Sequence, residues 1–213
     1  MDYDKKATDY FNHQRPEMLA FLPNGCKKVL DIGCGEGIFA EQIKKSEGAE
    51  TWGIELMEIP GEKAKKVLDT VFVGPCENYL DDLPDDYFDA IYCNDVLEHL
   101  VDPYTVLAKL KNKLSEKGVL ISSIPNIRYH DAFKKVWLKK NWEYEGHGIF
   151  DKTHMRFFTK KSIAKMYTDQ GYTILSHKGI NRTRSLKPYI YNIPFLFTAM
   201  DMFYLQYATV AGK

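Results

Sequence analysis

The sequence predicts an α/β protein built on a mostly parallel β-sheet with helices on both faces. Three observations support this class. Short apolar runs alternate with segments of helical periodicity, the first run passes directly into a turn of closely spaced glycines, and polar residues follow several of the predicted strands. Alternation of this kind forms βαβ units, whose crossover helices cover the sheet.

The predicted strands are short apolar runs separated by turn residues or helical segments. They are Lys28–Ile32, Glu50–Glu55, Thr70–Val73, Asp89–Cys93, Gly118–Ile124, Tyr172–Ser176 with an extension toward Ile180, and Phe203–Ala211. The run Gly118–Ile124 is apolar apart from Ser122 and Ser123, which is typical of a strand at the centre of a parallel sheet.

The predicted helices follow these strands. They cover about Ile38–Lys45, the region around Gly61–Leu68, Pro103–Lys113 and a segment from Thr159 onward. Asp102 followed by Pro103 is typical of a helix start, with a capping carboxylate and then a proline at the first helical position.

The composition limits the classes of function. The chain has 213 residues, which suits one domain, residues 1–213, and its 29 basic and 29 acidic residues balance. No global positive field exists to attract nucleic acid, so we expect no nucleic-acid partner. The N-terminus has no apolar signal region, and the apolar-rich segment Ile190–Tyr207 is interrupted by polar residues, so no membrane span is expected.

The four cysteines are spread along the chain without a CxxC pair. Each lies in or beside an apolar stretch, where cysteine usually behaves as a small buried residue. This usage predicts a reduced, cytoplasmic protein without disulfides or a zinc site.

The most informative segment is the turn after the first strand, which reads Asp31-Ile32-Gly33-Cys34-Gly35-Glu36-Gly37. A strand, a glycine turn and a helix N-terminus allow the backbone to approach a nucleotide-like ligand closely. The spacing is GxGxG, and an acid precedes it. A pyrophosphate would not favour a carboxylate beside the helix-end amides, whereas a ligand with a cationic amino-acid end would.

Polar residues at the ends of the next strands point to the same edge of the sheet. Glu55 ends the second strand and can accept hydrogen bonds from both hydroxyls of a ribose, although a helix cap is an alternative role. Asn94 follows the fourth strand and leads into Leu97-Glu98-His99-Leu100. Because ligands of such sheets bind outside the carboxyl ends of the strands, these residues predict one binding site.

Together these segments resemble the class I S-adenosylmethionine (SAM) methyltransferases with DIGCGxG, LEHL and PN motifs, as found in bacterial surface-polysaccharide and small-molecule pathways. The resemblance covers roughly residues 28–213. It implies a Rossmann-like sheet of seven strands with an antiparallel last strand, SAM as cofactor and methyl transfer as the activity. Residues 1–27 would form a lead-in or lid, and residues 127–158 and 181–202 would form inserts on the acceptor side.

The resemblance also implies a set of cofactor-binding residues. Asp31, Gly33, Gly35 and Asn94 would surround the methionine end and Glu55 the ribose. Many relatives have an aspartate after the third strand for the adenine, but this chain has none there, so Cys76 and Glu77 would replace it. Tyr10 and Arg15 would close over the methionine carboxylate, because a guanidinium binds a carboxylate bidentately; a surface role for Arg15 is the alternative.

Candidate catalytic residues lie in a polar and aromatic loop before the Thr159 helix. An Asp-x-x-His-x-Arg-Phe-Phe run occurs in the surface-polysaccharide relatives, and here it contains Asp151, His154 and Arg156. His154 would be the general base, since imidazole accepts a proton near neutral pH. Asp151 would orient it, and Arg156 would bind an acidic or phosphorylated acceptor.

Two other roles remain open for these residues. His154 and Arg156 could instead anchor the loop to the sheet, and His99 could be the base or shape the substrate site. No histidine pair with nearby carboxylates shows metal-ligand spacing in the sequence, so no metal is expected.

The acceptor is expected to enter between the Trp142–Phe158 loop, the N-terminal segment and the insert at Arg182–Phe197. The reaction would be O-methylation of a sugar, a glycolipid precursor or another small metabolite. The aromatic segment 188–197 with its basic edge could cap the acceptor pocket, contact a membrane surface, form a homodimer or cover a small second core.

Two functions from other classes remain alternatives. A non-catalytic SAM-binding scaffold would keep the cofactor site without turnover. A nicotinamide-dependent oxidoreductase would share the fold and Glu55, but the GxGxG spacing and Asp31 argue against it.

Overall fold

The structure is a computed structural model that describes residues 14–213, so Tyr10 lies outside the described residues. Seven strands form one sheet with the order β3-β2-β1-β4-β5-β7-β6. The strands are β1 Lys28–Ile32, β2 Glu50–Glu55, β3 Thr70–Val73, β4 Phe88–Asn94, β5 Leu114–Pro125, β6 Thr173–Arg182 and β7 Tyr204–Gly212.

Within residues 14–213, seven α-helices connect or flank these strands. They are α1 Pro16–Leu19, α2 Ile38–Glu47, α3 Glu58–Ala64, α4 Pro103–Lys113, α5 His130–Phe133, α6 Lys160–Asp169 and α7 Lys187–Asn192. Short 3-10 turns cover Cys76–Asn78, Leu97–His99, Ile193–Phe195 and Met200–Phe203, and a π-helical turn covers Lys134–Leu138.

The sheet has the predicted topology. β1 pairs in parallel with β2 and β4, β2 with β3, and β4 with β5. β7 lies between β5 and β6 and is antiparallel to both. The predicted Rossmann-like fold, with six strands in one direction and an antiparallel last strand, is confirmed.

Successive strand residues alternate between two cores, as the period of two requires. In β1, Leu30 packs in a core with helices α4 and α6, whereas Val29 packs in a core with α1 and α2. Ile91 and Ala90 of β4 are divided between the same two cores. The sheet is therefore covered on both faces.

Two predicted elements differ from the structure by more than two residues at a boundary. The helix expected around Gly61–Leu68 spans Glu58–Ala64, because Pro60 falls in its first turn, where a missing N–H costs no hydrogen bond. β5 begins at Leu114 rather than Gly118. Its pairing with β4 shifts register between Phe88 and Ala90, and this irregularity absorbs the extra residues.

The two inserts leave the sheet at the carboxyl ends of β5 and β6. The first contains α5 and the π-helical turn, and the second contains α7 and two 3-10 turns. The Asn126 amide joins them, donating to the carbonyl oxygens of Asp201 and Tyr204 at 3.0 Å each. The Arg128 guanidinium also pairs with the Asp201 carboxylate. Both inserts are thus fixed at the edge of the sheet where β1 and β4 end.

Candidate functional site

A cavity of about 490 Å³ lies at the carboxyl ends of the parallel strands. Four segments form its walls: the glycine turn at 31–35, the end of β2 at 54–57, the segment 74–77 after β3, and the residues 94–101 after β4. A cavity of this volume suits a nucleoside-sized ligand. Its position is the one that the order of the strands predicts for ligand binding.

The glycine turn follows a path that other residues do not readily adopt. Gly33, Gly35 and Gly37 have φ values of 74°, 55° and 84°. The Gly33 amide donates to the carbonyl oxygen of Ile54 at 2.7 Å, and a Cβ on Gly37 would lie 2.9 Å from a Val67 methyl group. The turn is therefore fixed against β2 and the segment that follows α3, and Gly33 and Gly35 line the cavity.

Glu55 connects the glycine turn to the end of β2. One carboxylate oxygen accepts from the Gly35 amide at 2.8 Å, and the other accepts from the Met57 amide at 2.9 Å. Burial raises the pKa of Glu55, while these backbone N–H groups oppose the increase. Each carboxylate oxygen retains acceptor capacity for a hydroxyl group. The geometry therefore suits both the capping role and the ribose-binding role of Glu55.

Asp31 is buried at the floor of the same cavity, with 3% of its surface exposed. Burial and the neighbouring Glu55 carboxylate raise the pKa of Asp31 to about 8, and Arg15 opposes this increase. Two acids in one buried site repel each other when both are ionised. A cationic ligand would relieve this repulsion, so the cavity favours a ligand with a positive charge.

The remaining cofactor residues expected from the resemblance also lie in the cavity wall. They are Gly33, Gly35, Cys76, Glu77, Asn94 and Arg15. The side-chain oxygen of Asn94 is buried without a hydrogen-bond partner, which leaves it available to a donor on a ligand. The residues predicted to bind the cofactor that lie within the described chain therefore line one cavity, and their contact with a cofactor stays a prediction.

Arg15 also binds other groups of the protein. It adopts a left-handed backbone conformation, with φ at 45°, before α1. Its guanidinium pairs with the Asp95 carboxylate and donates to the Ser123 hydroxyl at 3.3 Å. It therefore ties the start of the described chain to the ends of β4 and β5, where it also borders the cavity.

The loop that contains Asp151, His154 and Arg156 docks on the 3-10 turn Leu97–His99. The amides of Met155 and Arg156 donate to the Glu98 carbonyl oxygen at 2.9 and 3.1 Å. The Arg156 guanidinium donates to the carbonyl oxygen of Val101, a residue of the cavity wall. Arg156 therefore anchors the loop, which is the alternative role that the sequence left open.

His154 is buried behind the cavity wall rather than in it. Its Nδ1 lies 2.9 Å from the Ile149 carbonyl oxygen. The Asp151 carboxylate accepts from the amide and the hydroxyl of Thr153 at 2.9 and 2.7 Å, which closes the turn before His154. The two residues therefore shape one compact loop.

His99 has a more central position at the cavity than the sequence indicated. It lines the cavity, its ring centroid lies 4.7 Å from that of His154, and its Nδ1 lies 3.0 Å from the Thr153 carbonyl oxygen. Glu98, next to it, is 1% exposed, and burial raises its pKa to about 8. The run Leu97-Glu98-His99 was visible in the sequence, but the approach of His154 across 55 positions was not.

Comparison with known proteins agrees with this geometry. A family model described as "Methyltransferase domain" matches residues 3–177, which is most of the chain. The chain therefore belongs to this methyltransferase family, and the predicted membership of the class I SAM-dependent group is confirmed, with SAM as the cofactor of the family.

Particular relatives and structures were also found. The chain is 31% identical over 139 residues to a ubiquinone biosynthesis O-methyltransferase of Pasteurella multocida, covering 58% of this chain and 57% of that protein. It is 30% identical over 174 residues to one of Vibrio parahaemolyticus, covering 75% and 72%. A SAM-dependent methyltransferase structure from Archaeoglobus fulgidus has a TM-score of 0.68 at 20% identity and covers both chains fully.

The match with the Pasteurella relative spans little more than half of that relative's length. Within residues 14–213, no helix is long and apolar enough to cross a membrane.

Proposed function

We propose that this protein transfers the methyl group of SAM to a hydroxyl oxygen of a small acceptor, such as a sugar, a glycolipid precursor or another small metabolite. The observation that carries the proposal is the cavity that joins two buried acids, Asp31 and Glu55, to the imidazole of His99 in one wall. The names of the curated relatives, which are O-methyltransferases, support oxygen as the methylated atom.

The residues of the cavity fit SAM. Asp31 would hold the cationic methionine end, and Glu55 would accept from the ribose hydroxyls. Cys76 and Glu77 would border the adenine, and Asn94 would accept from a donor on the methionine part. Bound SAM supplies an electrophilic methyl group, which an acceptor oxygen attacks as the sulfur leaves with its electron pair.

The protein must align the acceptor, exclude water and receive the proton of the hydroxyl group. Two imidazoles together act as the acceptor of this proton. His99 lies in the cavity wall, and His154 packs against it. An imidazole suits this role near neutral pH. Asp151 positions the His154 turn, and Arg156 attracts an acidic or phosphorylated acceptor.

A calorimetric titration with S-adenosylhomocysteine (SAH), SAM and NADH tests the class of ligand. Micromolar binding of the two sulfur compounds is expected, with loss in Glu55→Ala and no NADH binding. His154→Ala and His99→Ala should retain SAH binding and lose turnover with an accepted hydroxyl compound. NADH binding alone would contradict the proposal, as would full turnover in both histidine variants. A protein that binds SAH but methylates no acceptor would be a scaffold.

An exposed apolar face suggests where the acceptor is found. We define it as the face formed by Trp137, Leu138, Leu186, Ile190, Ile193, Phe195, Leu196 and Phe197, all of which are exposed. Phe133 joins its two halves, with its ring centroid 6.5 Å from that of Trp137 and 6.0 Å from that of Phe195. Contiguous apolar surface of this extent marks an interaction site.

The charges around this face are strongly biased in a chain without net charge. The segments 127–140 and 182–200 carry one acid, Asp131. Arg128 and Lys135 in the first segment pair with acids from outside these segments. The other basic residues are Lys134, Lys139, Lys140, Arg182, Arg184 and Lys187. Each contributes about 1 kcal/mol near an anionic bilayer.

The exposed apolar face and the basic residues around it together favour peripheral contact with an anionic membrane that holds the acceptor. Both segments leave the sheet at the edge where the cavity lies, so the face and the cavity share one end of the molecule. Segment 182–200 lies beyond residues 3–177, which the family model matches. Four buried free thiols suit a reducing compartment, so we place the protein in the cytoplasm.

Vesicle flotation tests the membrane contact. Binding is expected to phosphatidylglycerol-containing vesicles and not to phosphatidylcholine vesicles, with a loss of roughly 10–100-fold in the double variant Ile193→Ser, Leu196→Ser. Leu175→Ser removes a similarly exposed apolar side chain from β6 and serves as the matched control. A concentration-dependent dimer that the double variant abolishes, without vesicle binding, would assign the face to a homodimer instead.

A further inference from the structure

Three side chains with metal-ligating atoms meet beside the cavity. One ligand atom from each of Glu98, His99 and His154 lies within 4.8 Å of the others. Glu98 and His99 belong to the 3-10 turn after β4, whereas His154 belongs to the docked loop. The fold therefore assembles a donor set that the linear spacing of the residues does not show.

The two imidazoles are oriented in the way that metal-binding histidines usually are. In both, Nδ1 lies at hydrogen-bond distance from a backbone carbonyl oxygen: that of Ile149 for His154 and that of Thr153 for His99. A carbonyl oxygen only accepts, so Nδ1 carries the proton and Nε2 carries the lone pair. In metal sites this second hydrogen bond fixes the tautomer and the ring direction.

The surroundings of Glu98 are a second, independent observation that points to a metal ligand. It is 1% exposed, and neither carboxylate oxygen has a hydrogen-bond partner. His154 Nε2 lies 4.0 Å from Oε1 of this carboxylate. The loop amides that reach this residue bind its backbone carbonyl instead. A buried carboxylate without donors is costly unless it is paired or coordinates a metal.

We propose that Glu98, His99 and His154 form a binding site for a divalent transition-metal ion, with Zn²⁺ as the best match. Two imidazoles and one carboxylate are a zinc donor set, and nitrogen ligands favour such ions over Mg²⁺ or Ca²⁺. Metal–ligand distances of about 2.0–2.2 Å require the three donors to move roughly 1 Å closer together, which side-chain rotation can supply.

Binding of the ion would join the docked loop to the 3-10 turn at the acceptor side of the cavity. The same nitrogen lone pairs cannot hold a metal and accept a proton, so the proton-accepting role belongs to the metal-free protein. The site itself does not depend on the proposed methyl transfer. Its existence is measured without any acceptor.

Titration of the tag-free full chain with Zn²⁺ and Co²⁺ tests the site. We expect one ion per chain and a higher melting temperature in the loaded protein. Glu98→Gln and His154→Asn should each weaken binding by roughly 100-fold or more. Both variants should fold, because glutamine removes a buried charge and the asparagine amide can replace the Nδ1 donor. His147→Asn changes an exposed histidine of the same loop and should bind Zn²⁺ like the parent.

The absorption spectrum of the Co²⁺ form distinguishes metal binding at this site from metal binding by the four cysteine thiols. A spectrum without a thiolate charge-transfer band is expected. A thiolate band, the absence of stoichiometric binding, or equal affinity in the parent and both variants would overturn the proposal. SAH binding is measured on the same preparations, so failure of the metal site and failure of the cofactor site are distinguishable.

Discussion

Binding of the cofactor to this site should release a proton from Asp31. Burial and the Glu55 carboxylate raise the pKa of Asp31 to about 8, so this carboxyl is protonated in the ligand-free protein below that pH. The cationic methionine end favours the ionised carboxylate. Below about pH 8, binding must therefore expel the proton, and the affinity falls as the pH falls.

The size of the effect follows from the pKa. Half of Asp31 is ionised at about pH 8 and roughly one hundredth at about pH 6. The dissociation constant for SAH is therefore expected to rise about 50-fold between these pH values, which corresponds to about 2.3 kcal/mol.

Isothermal titration calorimetry with SAH measures both consequences. Experiments at about pH 6 and pH 8 give the change in affinity, and paired buffers with different ionisation enthalpies give the number of protons released. Asp31→Asn should bind more weakly at the higher pH and lose the pH dependence. Equal affinity at both pH values, without buffer-dependent heat, would refute the reasoning.

Three further predictions concern stability. The pKa of Asp31 in the folded protein lies above the unfolded value of about 3.9, so the protein loses stability as the pH rises from about 4 to 8. Asp31→Asn does not titrate, so its stability relative to the parent should increase over that range. The melting temperatures of both proteins across that range measure this difference. Gly37→Ala should cost ~2–4 kcal/mol in urea unfolding because of its positive φ and the Val67 contact, whereas Gly48→Ala, with a positive φ in open space, should cost only ~1 kcal/mol. Thr159→Ala removes the capping box of α6 and should cost ~1 kcal/mol of unfolding free energy; equal stability would show that the cap contributes nothing.

The strands and the cofactor edge could be predicted from the sequence because their information is local. β1, β2 and β3 have the predicted bounds, since each is an apolar run ended by turn residues. Asp31 and Glu55 lie at strand ends, and the topology of a parallel sheet brings strand ends together without further detail.

The acceptor side could not be predicted in the same way. The contact between His99 and His154 depends on how a long loop folds back onto the 3-10 turn, and hydrogen bonds from Met155 and Arg156 to a backbone carbonyl fix that contact. Backbone hydrogen bonds of this kind leave no pattern in the side-chain sequence. The pairing of Arg15 with Asp95 is similarly a contact between distant segments that charge alone does not specify.

The position of β7 between β5 and β6 has a consequence for synthesis of the protein on the ribosome. β6 is made first, but its partner in the sheet, β7, is made later, after the insert 183–203. Until Tyr204–Gly212 has emerged, the edges of β5 and β6 that later pair with β7 remain open. Such edges pair readily with other chains. Translational pausing within the insert should therefore increase aggregation, whereas pausing after β7 should not.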